Sequence, residues 1–147
     1  MAQTDVLIRQ ARLEDVERVT ILCHQLGYST STQDVQTYIK TLAAHRCIVY
    51  VACHSDRPVV GLINVYVANE LLLSKQAEIG ALIVDEAYRS GGIGRLLVQH
   101  GQQWAKEQGC HVLQVRANVI RDSAHAFYKR IGCELYKSQR VFRKPLA

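Results

Sequence analysis

The sequence predicts an α/β sandwich built around a mixed β-sheet, and three observations lead there. Two apolar, β-branched and aromatic runs, Cys47 to Cys53 and Val59 to Val67, are separated by the turn cluster Ser55-Asp56-Arg57-Pro58 and read as a hairpin. An apolar run from Ile79 to Val84 precedes Arg89-Ser90-Gly91-Gly92-Ile93-Gly94, after which Ile93, Leu96, Leu97, His100 and Trp104 fall at helical spacing: strand, glycine loop, helix. Val112 to Val115 and the stretch from Asp122 to Gly132 then read as a further strand and helix. Helices interleaved with strands in this order bury their apolar stripes on the faces of one sheet.

The remaining elements follow in chain order. Val6-Leu7-Ile8 makes a short first strand. Leu13 to Leu26 carries apolar residues at roughly helical spacing, has Glu14, Asp15 and Glu17 in the favourable first turn, and is stopped by Gly27. Ser31, with Asp34 three residues on, resembles a capping box for a helix through about Ala44, with Asp in place of the usual Glu. Asn69 to Gln76 connects the hairpin to the central strand, Gly109 stands where a C-cap glycine belongs, and Glu134 to Phe142 is expected as a weaker final strand. Gly80, inside a strand, marks either a close backbone approach or a bulge.

The glycine loop carries the chemistry. A helix start presents free N–H groups and the positive end of the macrodipole, and glycines remove side chains that would keep a phosphate from those donors. A P-loop is excluded because Gly94 is followed by Arg95-Leu96 rather than Lys-Ser or Lys-Thr. The dinucleotide fingerprint fails at Leu97, where a third glycine is wanted. What remains is R-x-x-G-x-G, met by Arg89, Gly92 and Gly94, and it resembles the acetyl-CoA loop of the GNAT superfamily of N-acetyltransferases. A plain glycine-rich helix entry is the alternative for this motif taken alone. A second stretch, Val115-Arg116-Ala117-Asn118 followed by Arg121 to Tyr128 and then Ile131-Gly132, resembles the later motif of the same family.

The resemblance implies a three-layer α/β sandwich around a mixed, mostly antiparallel sheet whose central strands splay, and a single domain over residues 1–147. Acetyl-CoA is then the co-substrate, its pantetheine arm pairing with the open backbone near Leu82, Ile83 and Val84. Its pyrophosphate would lie on the N–H groups of Ser90, Gly91, Gly92, Ile93, Gly94, Arg95 and Leu96, with Arg89 and Arg95 adding charge-assisted bonds. Asn118 and Arg121 are the expected contacts of the second motif, and Ser123 either joins them or caps its helix. Tyr128 is the expected acid for the leaving thiolate. Glu78 is the candidate base, with a salt-bridge partner or a solvated strand end as its alternatives. Cys133 departs from the Phe or Tyr common after the final glycine in the family. An amine of lysine type is neutral in roughly one molecule in 10³ at pH 7, so a base or desolvation has to prepare it.

The expected acceptor is a primary amine of a small molecule, attacking the thioester directly. The alternatives are a protein N-terminus or lysine, and a non-catalytic module that holds CoA as a sensor. His24 and Tyr28, in the connection between the first helices, fit packing or exposure better than amine contact. Neither acceptor-side segment carries the concentrated acidity expected for a polycation. The family also forms dimers, which leaves a homodimer open.

Composition narrows the classes further. A chain of 147 residues is long enough to bury a core, and 48% hydrophobic with 21% charged residues are ordinary globular values. The net charge of +5 is uneven: eight basic and two acidic residues follow Gly109, against ten and eleven up to it. The basic residues are scattered and lack an RNA-binding aromatic signature, so no nucleic-acid partner is expected; a phosphate-rich cofactor accounts for the bias more economically, and for Lys137, Arg140, Arg143 and Lys144 a plain solvated face is the alternative. The N-terminal residues carry no export pattern and no apolar run is long enough to span a bilayer, so a cytoplasmic protein without a membrane partner is expected. Five scattered cysteines without a C-x-x-C pair read as reduced, mostly buried hydrophobes, and six histidines without helical pairing suggest no metal.

Overall fold

The computed structural model describes residues 6–54, 58–72, 75–89, 91–117 and 121–147. The chain divides into two compact units, Met1–Arg116 and Ala117–Ala147. In the first, the described residues form strands β1 (Val6–Gln10), β2 (Cys47–His54), β3 (Val59–Ala68), β4 (Gln76–Val84) and β5 (Leu113–Val115), with helices α1 (Val16–Gln25), α2 (Thr32–Lys40) and α3 (Ile93–Glu107). The strands lie in chain order, antiparallel from β1 to β4 and parallel between β4 and β5. This is the mixed, mostly antiparallel sheet that the sequence implies.

Both faces of the sheet are covered, which explains why β2 and β3 read as nearly continuous apolar runs rather than alternating ones. On one face Val49, Val51, Cys53, Leu62 and Ile83 share a core with Val19 and Leu22 of α1 and Val35 of α2. On the other lies α3, which buries Ile93, Leu97, Val98, Gly101, Trp104 and Ala105. Two glycines set how closely α3 seats. A Cβ on Gly61 of β3 would stand 3.2 Å from Leu97 Cδ1 and 3.3 Å from Ile93 Cγ2. A Cβ on Gly101 would stand 2.9 Å from Val65 Cγ2 and 3.2 Å from Ile63 Cδ1. The helix thus lies on β3 at a separation that a side chain at Gly101 would force apart and one at Gly61 would crowd.

The ends of the helices follow their sequence signals. Ser31 Oγ accepts the Asp34 N–H at 3.1 Å, the N-cap half of the expected box. Gly27 and Gly109 take φ of +98° and +84° and close α1 and α3 with the paired 6→1 and 5→2 bonds of a Schellman motif: Tyr28 and Gly27 donate to Cys23 and His24, and Cys110 and Gly109 donate to Ala105 and Lys106. The start of the first helix is tied to β1 by Arg9, whose two terminal nitrogens donate to Asp15 at 2.8 and 2.9 Å. Burial alone would raise the Asp15 pKa, but those bonds and the Arg12 N–H outweigh it and hold the carboxyl below its usual range.

Three expectations need correction. The residues from Leu13 to Asp15 form a 3₁₀ turn ahead of α1. α2 ends at Lys40 rather than near Ala44, because the chain turns through a 3₁₀ segment, Ala43–His45, and a left-handed Arg46 at φ 54° to enter β2. Glu134 to Phe142 is not a strand: in the second unit, α4 (Asp122–Arg130) is followed by residues 133–147 without regular structure. Its apolar residues come as adjacent pairs, Leu135-Tyr136 and Val141-Phe142, around a polar stretch, so no single strand face collects them, and all four are largely exposed. α4 itself closes as α1 and α3 do, with Gly132 at φ +99° and Cys133 N–H on Tyr128 O at 2.9 Å.

Among the cysteines, all free, Cys53 and Cys110 are buried and the others half-buried. No helix among the described residues is long and apolar enough to cross a membrane.

Gly101→Val should lower stability by about 1–3 kcal/mol, the usual cost of overpacking, since the new side chain meets two fully buried residues of β3. A lower urea midpoint at unchanged m-value checks this.

Candidate active site

β4 organises the first unit's part of the site. It pairs with β3 along its whole length, but with β5 only at Ala77–Leu113, Glu78–Gln114 and Ile79–Val115. From Gly80 to Val84 the strand therefore has a described neighbour on one side only. At the point where the partners change, its register on β3 slips: Asn64 faces Ala81 and Val65 faces Ile79, leaving Gly80 as a bulge. A Cβ on Gly80 would lie 2.6 Å from Asn64 Oδ1. Asn64 is held there by its donation to Ile48 O at 3.2 Å and its bonding with the Tyr38 hydroxyl. Gly80 forms the bulge named among its alternatives, and it turns the strand where its edge opens. Ile83 is core, so its side chain is taken up in packing and only its backbone is available at the open edge.

Residues 85–89 anchor the glycine loop. Val60, bulged where β2 and β3 slip register, accepts the Asp85 N–H at 2.7 Å. Asp85 Oδ1 accepts from Ala87 N–H at 3.0 Å and Oδ2 from Arg18 at 2.8 Å, and these bonds hold the Asp85 pKa below its usual range. Arg89 donates from Nε to Val84 O at 3.1 Å, folding the guanidinium against the end of β4. Gly92 then takes φ +85°, ψ 4°, a left-handed conformation open to glycine, and forms the N-cap of α3. No described side chain caps this end, and the first-turn N–H groups of Ile93, Gly94 and Arg95 have no intrahelical acceptor. The buried Ile93 side chain seats the helix start on β3, while Arg95 is exposed and Leu96 half-buried. Ser90 lies outside the described residues. An oxygen-rich dianion suits this arrangement, since it needs several convergent N–H donors and no intervening Cβ.

Glu78 sits one rung before the strands part. It is buried at 4% exposure, with Oε1 accepting from Gln114 Nε2 at 3.2 Å and Oε2 paired with Arg116. It is neither a solvated strand end nor isolated. Tyr66 stands opposite it on β3, and burial together with the Glu78 charge pushes the Tyr66 phenol up. The group ties β4 to β5 beside their last paired residues, Ile79 and Val115.

In the second unit, Arg121, Ser123 and Tyr128 lie at or on α4. Arg121, not Ser123, is the N-cap residue, and Ser123 caps nothing. Tyr128 packs edge-on against Phe127 at 5.3 Å. Its pKa moves up, from burial first and the Cys133 thiol second, so its hydroxyl stays protonated through the neutral range. Asn118 lies outside the described residues. Asp85 and Gln114 were not singled out from the sequence, and Arg116 entered only as part of the second motif, without its pairing to Glu78. Only the Asp85 position gave a signal, as an acidic turn residue directly after an apolar strand.

The profile of the acetyltransferase (GNAT) family matches residues 13–133, and the chain belongs to that family. It is 28% identical over 144 residues to an aminoglycoside N(6')-acetyltransferase type 1 of Stenotrophomonas maltophilia, covering 95% of this chain and 93% of that one. In fold it is similar to aminoglycoside antibiotic 6'-N-acetyltransferase AAC(6')-Ih from Acinetobacter baumannii, with a TM-score of 0.84 at 18% identity over 97% of this chain and 99% of that one. AAC(6')-Iy, solved in complex with the bisubstrate analogue CoA-S-monomethyl-acetylneamine, is similar at a TM-score of 0.83 and 18% identity, over 96% and 99% of the two chains.

Arg116→Ala leaves the buried Glu78 carboxylate without its cation and should cost about 1–3 kcal/mol, the usual penalty for stranding a buried polar group. Chemical denaturation measures it; Arg116→Lys, which keeps the charge, should recover part of the loss.

Proposed function

We propose that this protein transfers the acetyl group of acetyl-CoA to a primary amine of a small molecule. The observation that carries this reading is the conjunction, on one stretch of chain, of a strand with one open edge and an uncapped helix start behind the left-handed Gly92. The open backbone of Leu82 to Val84 suits the amide-bearing pantetheine arm, and the first-turn N–H groups of Ile93, Gly94 and Arg95 suit the pyrophosphate, whereas the Leu96 N–H is taken by Gly92 O at 3.2 Å. Arg89 and Arg95 supply positive charge, and Asn118, Arg121 and Ser123 of the second motif join them in the proposal. The relative from Stenotrophomonas maltophilia, an aminoglycoside acetyltransferase, supports a small-molecule acceptor.

In the reaction the amine nitrogen bonds to the thioester carbon, the carbon–sulfur bond breaks, and the sulfur leaves with the electron pair. A backbone N–H of β4 is the proposed donor to the carbonyl oxygen as it gains charge. Glu78 is the proposed base for the amine, directly or through water. Tyr128 is the proposed acid for sulfur. With thiol and phenol reference pKa values near 8.5 and 10, proton transfer to the thiolate is uphill by about 1.5 units before burial adds to it. The raised pKa of Tyr128 therefore favours a strengthening hydrogen bond over early proton loss.

Gly92→Val puts a branched side chain at φ +85° and over the loop donors, so CoA affinity measured by calorimetry should collapse while the protein remains folded. An unchanged affinity in a folded variant removes the central claim.

Tyr128→Phe should lower turnover by about 10²-fold with acetyl-CoA affinity nearly intact, and Glu78→Gln should lower turnover most at low pH, where the amine most needs deprotonation. Wild-type turnover in the first variant, with chemistry rate-limiting, rules out Tyr128 as the acid. A flat pH response in the second returns Glu78 to a structural tie.

A further inference from the structure

On the face of the sheet away from α3, helices α1 and α2 leave a cavity of roughly 290 Å³ above β2, β3 and β4. Its floor is apolar, with Val49 and Leu62 both buried. Among the described residues, Asp34, near the start of α2, is its only lining carboxylate, and no lysine or arginine lines it. Asp34 is exposed, and no described residue bonds its carboxylate, although its own N–H is taken by the Ser31 cap. Tyr38 and Asn64 line the wall and bond one another. Burial pushes the Tyr38 phenol up to about 12, so it remains neutral and Asp34 supplies the charge here. At its β4 side the cavity reaches Ala81, the residue directly after the Gly80 bulge on the open-edged part of the strand.

These features constrain the occupant. The volume is at the low end of the range for small-molecule pockets, about 300–1,000 Å³. One ring or a short branched chain fills it, whereas most of a multi-ring amino sugar would lie outside it. The apolar floor rewards hydrocarbon, whereas several ammonium groups would be desolvated against a single carboxylate. We propose that this cavity receives the body of the acceptor, and that the acceptor is a compact monoamine with an aromatic or branched alkyl body, drawn in as a cation by Asp34. The assignment rests on the N-acetyltransferase reading for its chemistry, but the cavity's selectivity can be tested without turnover. It also separates this chain from its aminoglycoside-modifying relative, which has a polycationic substrate class.

The test uses the whole protein with 2-phenylethylamine, kanamycin A and spermidine as probes, following thiol release with acetyl-CoA and binding by calorimetry. We expect kcat/KM for 2-phenylethylamine to exceed those for kanamycin A and spermidine by about 10²-fold or more, the scale of a few lost charge and packing contacts. Asp34→Asn should raise its KM about tenfold with kcat little changed. Cys23→Phe, which adds a ring to the cavity lining, should abolish its binding. Should Cys23→Phe fail to fold, the isosteric change at exposed Asp34 carries the test. Preference for kanamycin A or spermidine overturns the proposal, as does 2-phenylethylamine binding that neither variant weakens, or no binding at all. If 2-phenylethylamine binds the wild type, is weakened by the variants and yet no amine is acetylated, the cavity assignment stands and the transferase reading falls.

Discussion

After Gly80 the backbone of β4 has a sheet neighbour on one side and none described on the other, and much of the first unit is arranged around keeping it so. An open strand edge carries unpaired N–H and C=O groups and ordinarily invites pairing with another chain. Here the edge is short, begins at a bulge, and ends at Asp85, where the chain is pinned by Val60, Arg18 and the Ala87 N–H. Glu78, Gln114 and Arg116 hold β4 and β5 together up to the fork. Beyond it nothing described pairs with β4 on that side, so a ligand with amide groups has backbone partners waiting.

Close packing on the opposite side is what holds this edge in place. α3 must begin immediately behind the end of β4 and lie along β3, which requires that helix and sheet approach closely. Gly61 and Gly101 permit the approach, Ile93 and Leu97 fill the contact, and Gly92 makes the reversal that points the first-turn N–H groups outward. The glycines at 61 and 101 thus serve packing, whereas those at 27, 92, 109 and 132 serve backbone conformation. In a sequence the two kinds look alike. Only the positions at helix ends announce their purpose, because a C-cap glycine has a fixed place relative to the apolar stripe.

Much of the local structure around the candidate site was legible from residue type and spacing. The glycine loop, the helix behind it and the apolar strand before it follow from local rules, since loop conformation and helix start are decided within a few residues. The hairpin and the Ser31 cap are equally local. Less legible were the end of α2, which depends on how the chain enters β2, and the stretch after Gly132, whose paired rather than alternating apolar residues lack a strand's period.

By itself the sequence determined the α/β class, the family motifs and the loop that suits a pyrophosphate, all of which rest on contacts between neighbours in the chain. The tertiary structure decided the rest. That Glu78 is buried against Arg116 rather than solvated depends on residues 38 positions apart meeting across a parallel strand pair. The anchoring of Asp85 by Arg18 joins residues 67 apart. The cavity between α2 and the bulge draws Asp34, Asn64 and Ala81 from three separate elements. Such long-range juxtapositions follow from how helices and strands pack, and local spacing carries no record of them.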